Sequence, residues 1–140
     1  MKKFICFISG LFIFCLITSS DMIHAISPGT VFNPKANMVV FYQHSNYGGD
    51  FFAWTFDRDL ANFKGWYVGS GTSKTWNDQV SSFKVGKNAC VTFWKDSQYR
   101  GSKMTYNGNG SGIRSVGHMP SGWNDQISSA KIRMRGNCAR

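Results

Sequence analysis

Hydrophobic and polar residues fall into short runs that alternate with a period near two, and no long stretch carries helical periodicity. Residues 38–56 (MVVFYQHSNYGGDFFAWTF) and 89–106 (ACVTFWKDSQYRGSKMTY) are rich in Val, Phe, Tyr, Trp and Thr, and each is broken once by small and polar residues. Each such segment predicts two strands joined by a sharply folded hairpin. Near the C-terminus Ala130, Ile132 and Met134 alternate with Lys131, Arg133 and Arg135, which predicts a strand with a basic face in solvent. Glycine-rich connections, residues 57–75 and 107–122, are expected to hold one short strand each, around residues 63–68 and 113–116. The sum is an all-β chain of eight strands, packed as two antiparallel sheets with their apolar sides inward.

The pattern is written twice. WNDQVSS at residues 76–82 returns as WNDQISS at residues 123–129, with six of seven positions identical. The heptads close two longer units, motif one at residues 38–86 and motif two at 89–135. Both units open on an aromatic, four residues, an aromatic, one residue and a glycine: Tyr42, Tyr47 and Gly49 in one, Trp94, Tyr99 and Gly101 in the other. Glycine at the third fixed position predicts backbone at positive φ, which glycine alone adopts cheaply. The aromatics beside it are expected to cover the folded hairpin and close one end of the core.

The heptads also carry chemistry. Asn77-Asp78 and Asn124-Asp125 are turn formers with oxygen-bearing side chains, and Ser81 and Ser128 place hydroxyls three residues beyond the aspartates. Carboxylate, amide, hydroxyl and main-chain carbonyl are hard ligands that suit Ca²⁺; Zn²⁺ would call for His or Cys, and Mg²⁺ for more water and stricter geometry. One heptad holds too few ligands for a six- to eight-coordinate ion, so two heptads brought together would complete each other's sites. The alternative reading gives the heptads a purely structural role: tryptophans in the core, Asn-Asp turns, serines satisfying backbone, and no metal.

The paired openings and closings resemble the βγ-crystallin family, and more closely its calcium-binding members outside the eye lens, whose signature is N/D-N/D-x-x-S/T-S. The resemblance covers residues 38–135. It implies a βγ-crystallin-like sandwich of two Greek-key motifs with two Ca²⁺ sites shared between motifs. By position, one site takes the Gln79 carbonyl, the Ser81 hydroxyl and the Asp125 carboxylate; the other takes the Gln126 carbonyl, the Ser128 hydroxyl and the Asp78 carboxylate. Ser82 and Ser129 match the serine that braces the folded hairpin. Secreted proteins resembling this family also include metalloproteinase inhibitors and small cationic antimicrobial or killer-toxin proteins. Those two classes are the alternatives to a structural calcium module, and the inhibitor class would use loops at residues 65–75 or 107–122.

Residues 1–25 read as a signal peptide, with Lys2 and Lys3 ahead of an apolar run too short to span a membrane. A secreted location follows, or a periplasmic one in a Gram-negative source. Residues 26–37 form an N-terminal extension, and residues 38–140 form a single domain. With the leader removed only Cys90 and Cys138 remain, and in an oxidising compartment this pair is expected to form a disulfide; two separate thiols are the alternative. Losing Lys2, Lys3 and Asp21 with the leader lowers the formal net charge from +9 to +8. Such a surface attracts anionic partners, an anionic surface or a protease among the candidates, without choosing between them. The chain contains no glutamate, no HExxH helix and no G-x-S-x-G elbow, so nothing points to an enzyme. Nucleic-acid binding has charge alone behind it, and the expected state is a monomer with no transmembrane segment.

Overall fold

The computed structural model describes residues 32–55, 57–69 and 72–138, with the backbone of three two-residue strands, Cys6–Phe7, Phe14–Cys15 and Met22–Ile23. The rest of the expected leader, and residues 26–31 of the extension, lie outside the described residues. From residue 38 onward eight strands follow: β1 (Met38–His44), β2 (Gly48–Thr55), β3 (Arg58–Leu60), β4 (Ser82–Val85), β5 (Ala89–Asp96), β6 (Arg100–Asn107), β7 (Arg114–Val116) and β8 (Ser129–Met134).

They form two antiparallel sheets of four, in the orders β7-β4-β1-β2 and β3-β8-β5-β6. Met22–Ile23 adds a short backbone segment along the outer edge of β2, opposite Trp54 and Ala53. Motif one supplies β1, β2 and β4 to the first sheet and sends β3 to the second. Motif two supplies β5, β6 and β8 to the second sheet and sends β7 to the first. The exchange relates the two motifs by a pseudo-twofold axis, and it makes each sheet depend on both.

Successive side chains of a strand point to opposite faces, so Val39 and Phe41 of β1 and Val91 and Phe93 of β5 fill the space between the sheets. Phe41 sits among aromatic rings, with centroids 4.6 Å from Phe52, 5.6 Å from Phe93 and 6.1 Å from Phe63. Trp76, the first residue of the first heptad, is fully buried 4.5 Å from the Phe52 ring. Met38, Val40 and Tyr42 point the other way and form a second apolar cluster with Phe51 and Ala53 on the outer face of the first sheet. Tyr42 and Trp94 therefore lie outside the sandwich, edge-to-face with Tyr47 at 5.5 Å and Tyr99 at 5.4 Å. The expectation that these aromatics close the main core is corrected by the pleat, since each sits one residue after an inward phenylalanine.

The third strand of motif one also lies earlier than expected. It is Arg58–Leu60, where Leu60 pairs with Ala130 and is buried. Residues Phe63–Gly65 instead make a 3-10 turn, whose start is capped by the Asn62 side chain accepting from the Lys64 N–H at 2.9 Å. The turn drops the Phe63 ring into the core while its N–H reaches the Ser128 carbonyl at 2.9 Å. In motif two the third strand is Arg114–Val116, within the expected range. Beyond the Phe63–Gly65 turn Tyr67 bridges to Thr75, and the Trp76 N–H donates to the Trp66 carbonyl at 2.7 Å.

The folded hairpins need more than their glycines. Gly49 and Gly101 both lie at φ 73°, and a Cβ on Gly49 would come within 2.6 Å of the His44 ring. Asn46 and Tyr47, and likewise Gln98 and Tyr99, are also held at positive φ between 55° and 63°. Left-handed backbone in non-glycine residues is costly and persists only where neighbours fix it. Cys90 and Cys138 are bonded, S–S 2.07 Å, and the Thr92 hydroxyl donates to the Cys138 carbonyl at 3.0 Å. The chain end is thus fastened to the outer face of the second sheet.

Burial pushes the Tyr42 phenol far above its usual range, an effect partly offset by the hydrogen bond its O–H donates to the Phe32 carbonyl. A folded state that keeps this phenol neutral while the unfolded chain ionises it near pH ~10 has stability that is complete below that pH and declines above it. Thermal melts from neutral to strongly alkaline pH are expected to show the decline, with Tyr42→Phe removing part of it.

Candidate functional site

The two heptads meet across the pseudo-twofold axis. The Asp78 N–H donates to the Ile127 carbonyl at 3.0 Å, and the Asp125 N–H to the Val80 carbonyl at 3.3 Å, so the segments are zipped to each other. Both aspartates adopt left-handed backbone, φ 55° at Asp78 and 52° at Asp125. Aspartate is among the few residues that visit this region readily. The kink turns each carboxylate toward the opposite motif.

There each meets a serine. The Ser81 hydroxyl donates to Asp125 Oδ1 at 2.9 Å, and the Ser128 hydroxyl donates to Asp78 Oδ1 at 3.2 Å. The serines are held from behind, the Ser81 N–H by the Tyr42 carbonyl at 3.0 Å and the Ser128 N–H by the Trp94 carbonyl at 3.1 Å. The second oxygen of each carboxylate is held by the preceding asparagine: Asn77 Nδ2 donates to Asp78 Oδ2 at 2.6 Å, and Asn124 Nδ2 to Asp125 Oδ2 at 2.8 Å. The glutamines turn back locally, Gln79 Nε2 to the Asp78 carbonyl at 2.6 Å and Gln126 Nε2 to the Asp125 carbonyl at 3.2 Å. Each proposed ligand pair, Ser81 with Asp125 and Ser128 with Asp78, is thus brought together, with its own Gln79 or Gln126 carbonyl two residues before the serine.

Two features of these sets suit a hard cation. Among the described residues no N–H or O–H donates to the carbonyl of Gln79 or of Gln126. The Asn77 side-chain oxygen is buried and also lacks a partner. A buried acceptor oxygen without a partner is uncommon in native proteins and calls for an explanation such as an ion or water, which applies to Asn77; Gln126 is exposed, and its carbonyl needs none. Each set carries one carboxylate, and among the described residues no three His, Cys, Asp or Glu side chains come together, so a softer nitrogen or sulfur site has no ligands here. The two sets differ in exposure. Asn77, Asp78 and Gln79 are partly buried, whereas Asn124, Asp125 and Gln126 are exposed.

Ser82 and Ser129, the residues after Ser81 and Ser128, work on the hairpins. The Ser82 hydroxyl donates to the His44 carbonyl at 2.6 Å and accepts from the Tyr47 N–H at 3.0 Å. The Ser129 hydroxyl does the same between the Asp96 carbonyl, 2.6 Å, and the Tyr99 N–H, 3.1 Å. One fully buried hydroxyl thereby holds both ends of each left-handed turn. The role of Asn77 and Asn124 in holding the carboxylates was missed by sequence reasoning, although asparagine before the aspartate in both copies was the available signal. His44 and His118 are exposed and take no part in the site.

The sequence profile of Peptidase inhibitor family I36 matches residues 34–106, just over half of the chain. Among solved structures, one described under the evolution of the eye lens βγ-crystallin domain fold is 27% identical, with a TM-score of 0.61, covering 81% of this chain and 97% of that one. Spherulin 3a from Physarum polycephalum is 30% identical with a TM-score of 0.54, covering 76% and 92%. A βγ-crystallin domain from Clostridium beijerinckii is 25% identical with a TM-score of 0.52, covering 68% and 95%. No curated protein matches the chain in sequence.

Replacing Ser82 or Ser129 by alanine leaves one buried N–H and one carbonyl without their partner, which costs about 1–3 kcal/mol. Denaturant unfolding of Ser82→Ala and Ser129→Ala is expected to return losses in that range, similar for the two motifs.

Proposed function

The chain belongs to peptidase inhibitor family I36, a βγ-crystallin-like family, and from that premise we propose that it is a secreted, calcium-binding structural module. The observation that carries this reading is the reciprocal pairing of Ser81 with Asp125 and Ser128 with Asp78, beside glutamine carbonyls that accept no hydrogen bond from the described residues. Residues that hold Ca²⁺ in one set would be Gln79 through its carbonyl, Ser81 and Asp125. Gln126, Ser128 and Asp78 would form the other. Bound calcium supplies positive charge that both motifs face at once, and so acts as a staple between them. In its absence the serine hydroxyls hold the carboxylates by donating to them.

With one carboxylate per site the affinity falls near that of extracellular modules, about 10⁻⁵ to 10⁻³ M. At a calcium level ten times the Kd each site adds roughly 1.4 kcal/mol to folding stability. Calorimetric titration of chelator-stripped protein with CaCl₂ is expected to give two binding events and a raised Tm. Asp125→Asn should weaken one event about tenfold or more, and Asp78→Asn the other, since ligand charge sets affinity. Absence of heat and of any Tm shift at several-fold molar excess over ~1 mM would assign the heptads a structural role.

The family match itself favours a second reading, peptidase inhibition on the same scaffold. Tyr67 is exposed and bridges to Thr75, so this pair is the part of the expected 65–75 loop that a peptidase would meet. Under this reading a zinc metallopeptidase titrated with the purified protein loses activity in proportion to the protein added, and the chain is recovered uncut. Undiminished activity at molar excess would leave the calcium module alone.

A further inference from the structure

The two motifs differ at the connection between their second and third strands. In motif one β2 ends at Thr55 and β3 begins at Arg58, so two residues, one of them Asp57, make the crossing. In motif two six residues, 108–113, separate Asn107 of β6 from Arg114 of β7, and none is acidic. An arginine begins the third strand in both copies and lies over an aromatic ring of the strand before it. Arg58 is 5.1 Å above Trp54, and Arg114 is 5.0 Å above Tyr106. Beside the longer connection lies a cavity of about 530 Å³.

The cavity is lined by Asn107, Gly108, Asn109, Arg114, Arg135 and Gly136, among which no side chain is apolar. Both arginines are seated. Arg114 has the Tyr106 ring beneath it, and Arg135 lies against Gly110, where an added Cβ would come within 2.8 Å of its Nη1. Gly110 is also at φ 81°, a conformation that glycine adopts cheaply. Asn109 Oδ1 accepts from the N–H groups of Ser111 at 3.1 Å and Gly112 at 2.5 Å. That leaves the Nδ2 amide as the free end of a side chain on the cavity wall.

No acid answers the two guanidiniums, since among the described residues neither makes an ion pair. Asp59 is taken by Arg133, and Asp57 and Asp59 belong to the β3 edge of the second sheet, with β8 and β5 between them and β6. Asp78 and Asp125 precede β4 and β8, and Asp50 and Asp96 flank the folded hairpins, whereas the cavity lies where β6 and β8 end. Lys87, whose carbonyl accepts from the Gly110 N–H at 3.2 Å, adds a further exposed cation to this end.

We propose that the cavity binds the oxyanion of a phosphorylated or sulfated sugar. The Arg114 and Arg135 guanidiniums take the ester oxygens through charge-assisted hydrogen bonds. The amides of Asn107 and Asn109 meet the sugar hydroxyls. A volume within the range of small-molecule sites has room for more than the bare anion, and a lining without apolar side chains suits a hydroxylated body. The cavity shares no residue with the heptads, so its occupancy does not require calcium.

The test is a titration of ¹⁵N-labelled mature protein, in chelator, with glucose 6-phosphate and with glucose 6-sulfate, followed through the amide resonances of residues 108–112 and 136. Saturable shifts confined to those amides are expected with at least one ester, and the tighter of the two assigns the oxyanion. Arg114→Gln and Arg135→Gln, both at exposed positions, should each weaken binding about tenfold, the loss expected for one charge-assisted hydrogen bond. Gly110→Ala keeps every charge but drives Arg135 from its seat, and should weaken binding as well. Lys103→Gln makes the same charge change on β6 outside the cavity and should leave binding within about twofold. Equal weakening by Lys103→Gln, the same shifts with glucose alone, inorganic phosphate binding as tightly as the sugar ester, or no saturable shift with either ester would each overturn the proposal. So would binding that begins only when residues 139–140 are deleted, which would give the cavity to the chain's own C-terminal carboxylate.

Discussion

Neither sheet can be completed by the motif that supplies most of its strands. β3 leaves motif one to pair with β8, and β7 leaves motif two to pair with β4. Everything else in the molecule is arranged by this exchange. It pulls the connections of both motifs across the sandwich, and the heptads at the ends of those connections are thereby brought face to face. It also gives the core a shared centre, where Phe41 of one motif meets Phe93 of the other at 5.6 Å. A site made of Ser81 and Asp125, far apart in the chain, forms where the segments entering β4 and β8 meet after β3 and β7 have crossed to the opposite sheets.

The same constraint explains how a turn, a brace and one half of each Ser–Asp pair fit into seven residues. The tryptophan of the first heptad anchors in the core, the aspartate takes left-handed backbone, the next aliphatic residue returns to the core, and two serines follow. Val80 and Ile127 are fully buried, as the exchange of one β-branched residue for another suggests. Consecutive serines then divide the work. The first faces the other motif and the second faces its own hairpin, because neighbouring residues of an extended segment point to opposite sides.

Much of this was legible in the chain because it was written twice. Repetition identified the hairpins, the glycines at positive φ and the pairing of the heptads, and period-two alternation gave the eight strands in two sheets. The missed features are the ones without a repeated or local signal. β3 was placed too late because Arg58-Asp59-Leu60 has a single apolar residue, while Phe63 and Trp66 look more like strand residues. Tyr42 and Trp94 were expected to close one end of the core and lie instead on the outer faces, because an aromatic beside a buried aromatic carries no mark of direction. The difference between the two outer faces, apolar on one and cationic on the other, lies in substitutions such as Phe51 against Lys103 that break the repeat rather than follow it.

The bond between Cys90 and Cys138 encloses nearly all of motif two, including β6, β7, the glycine-rich connection between residues 107 and 122, and the second heptad. A single break of the backbone anywhere in that span leaves both fragments on one covalent molecule. The cut ends stay close, because β6 is still paired with β5 and β7 with β4. The lost connection then needs no re-encounter between separate pieces, and the nicked chain keeps both halves of each Ser–Asp pair within reach of each other.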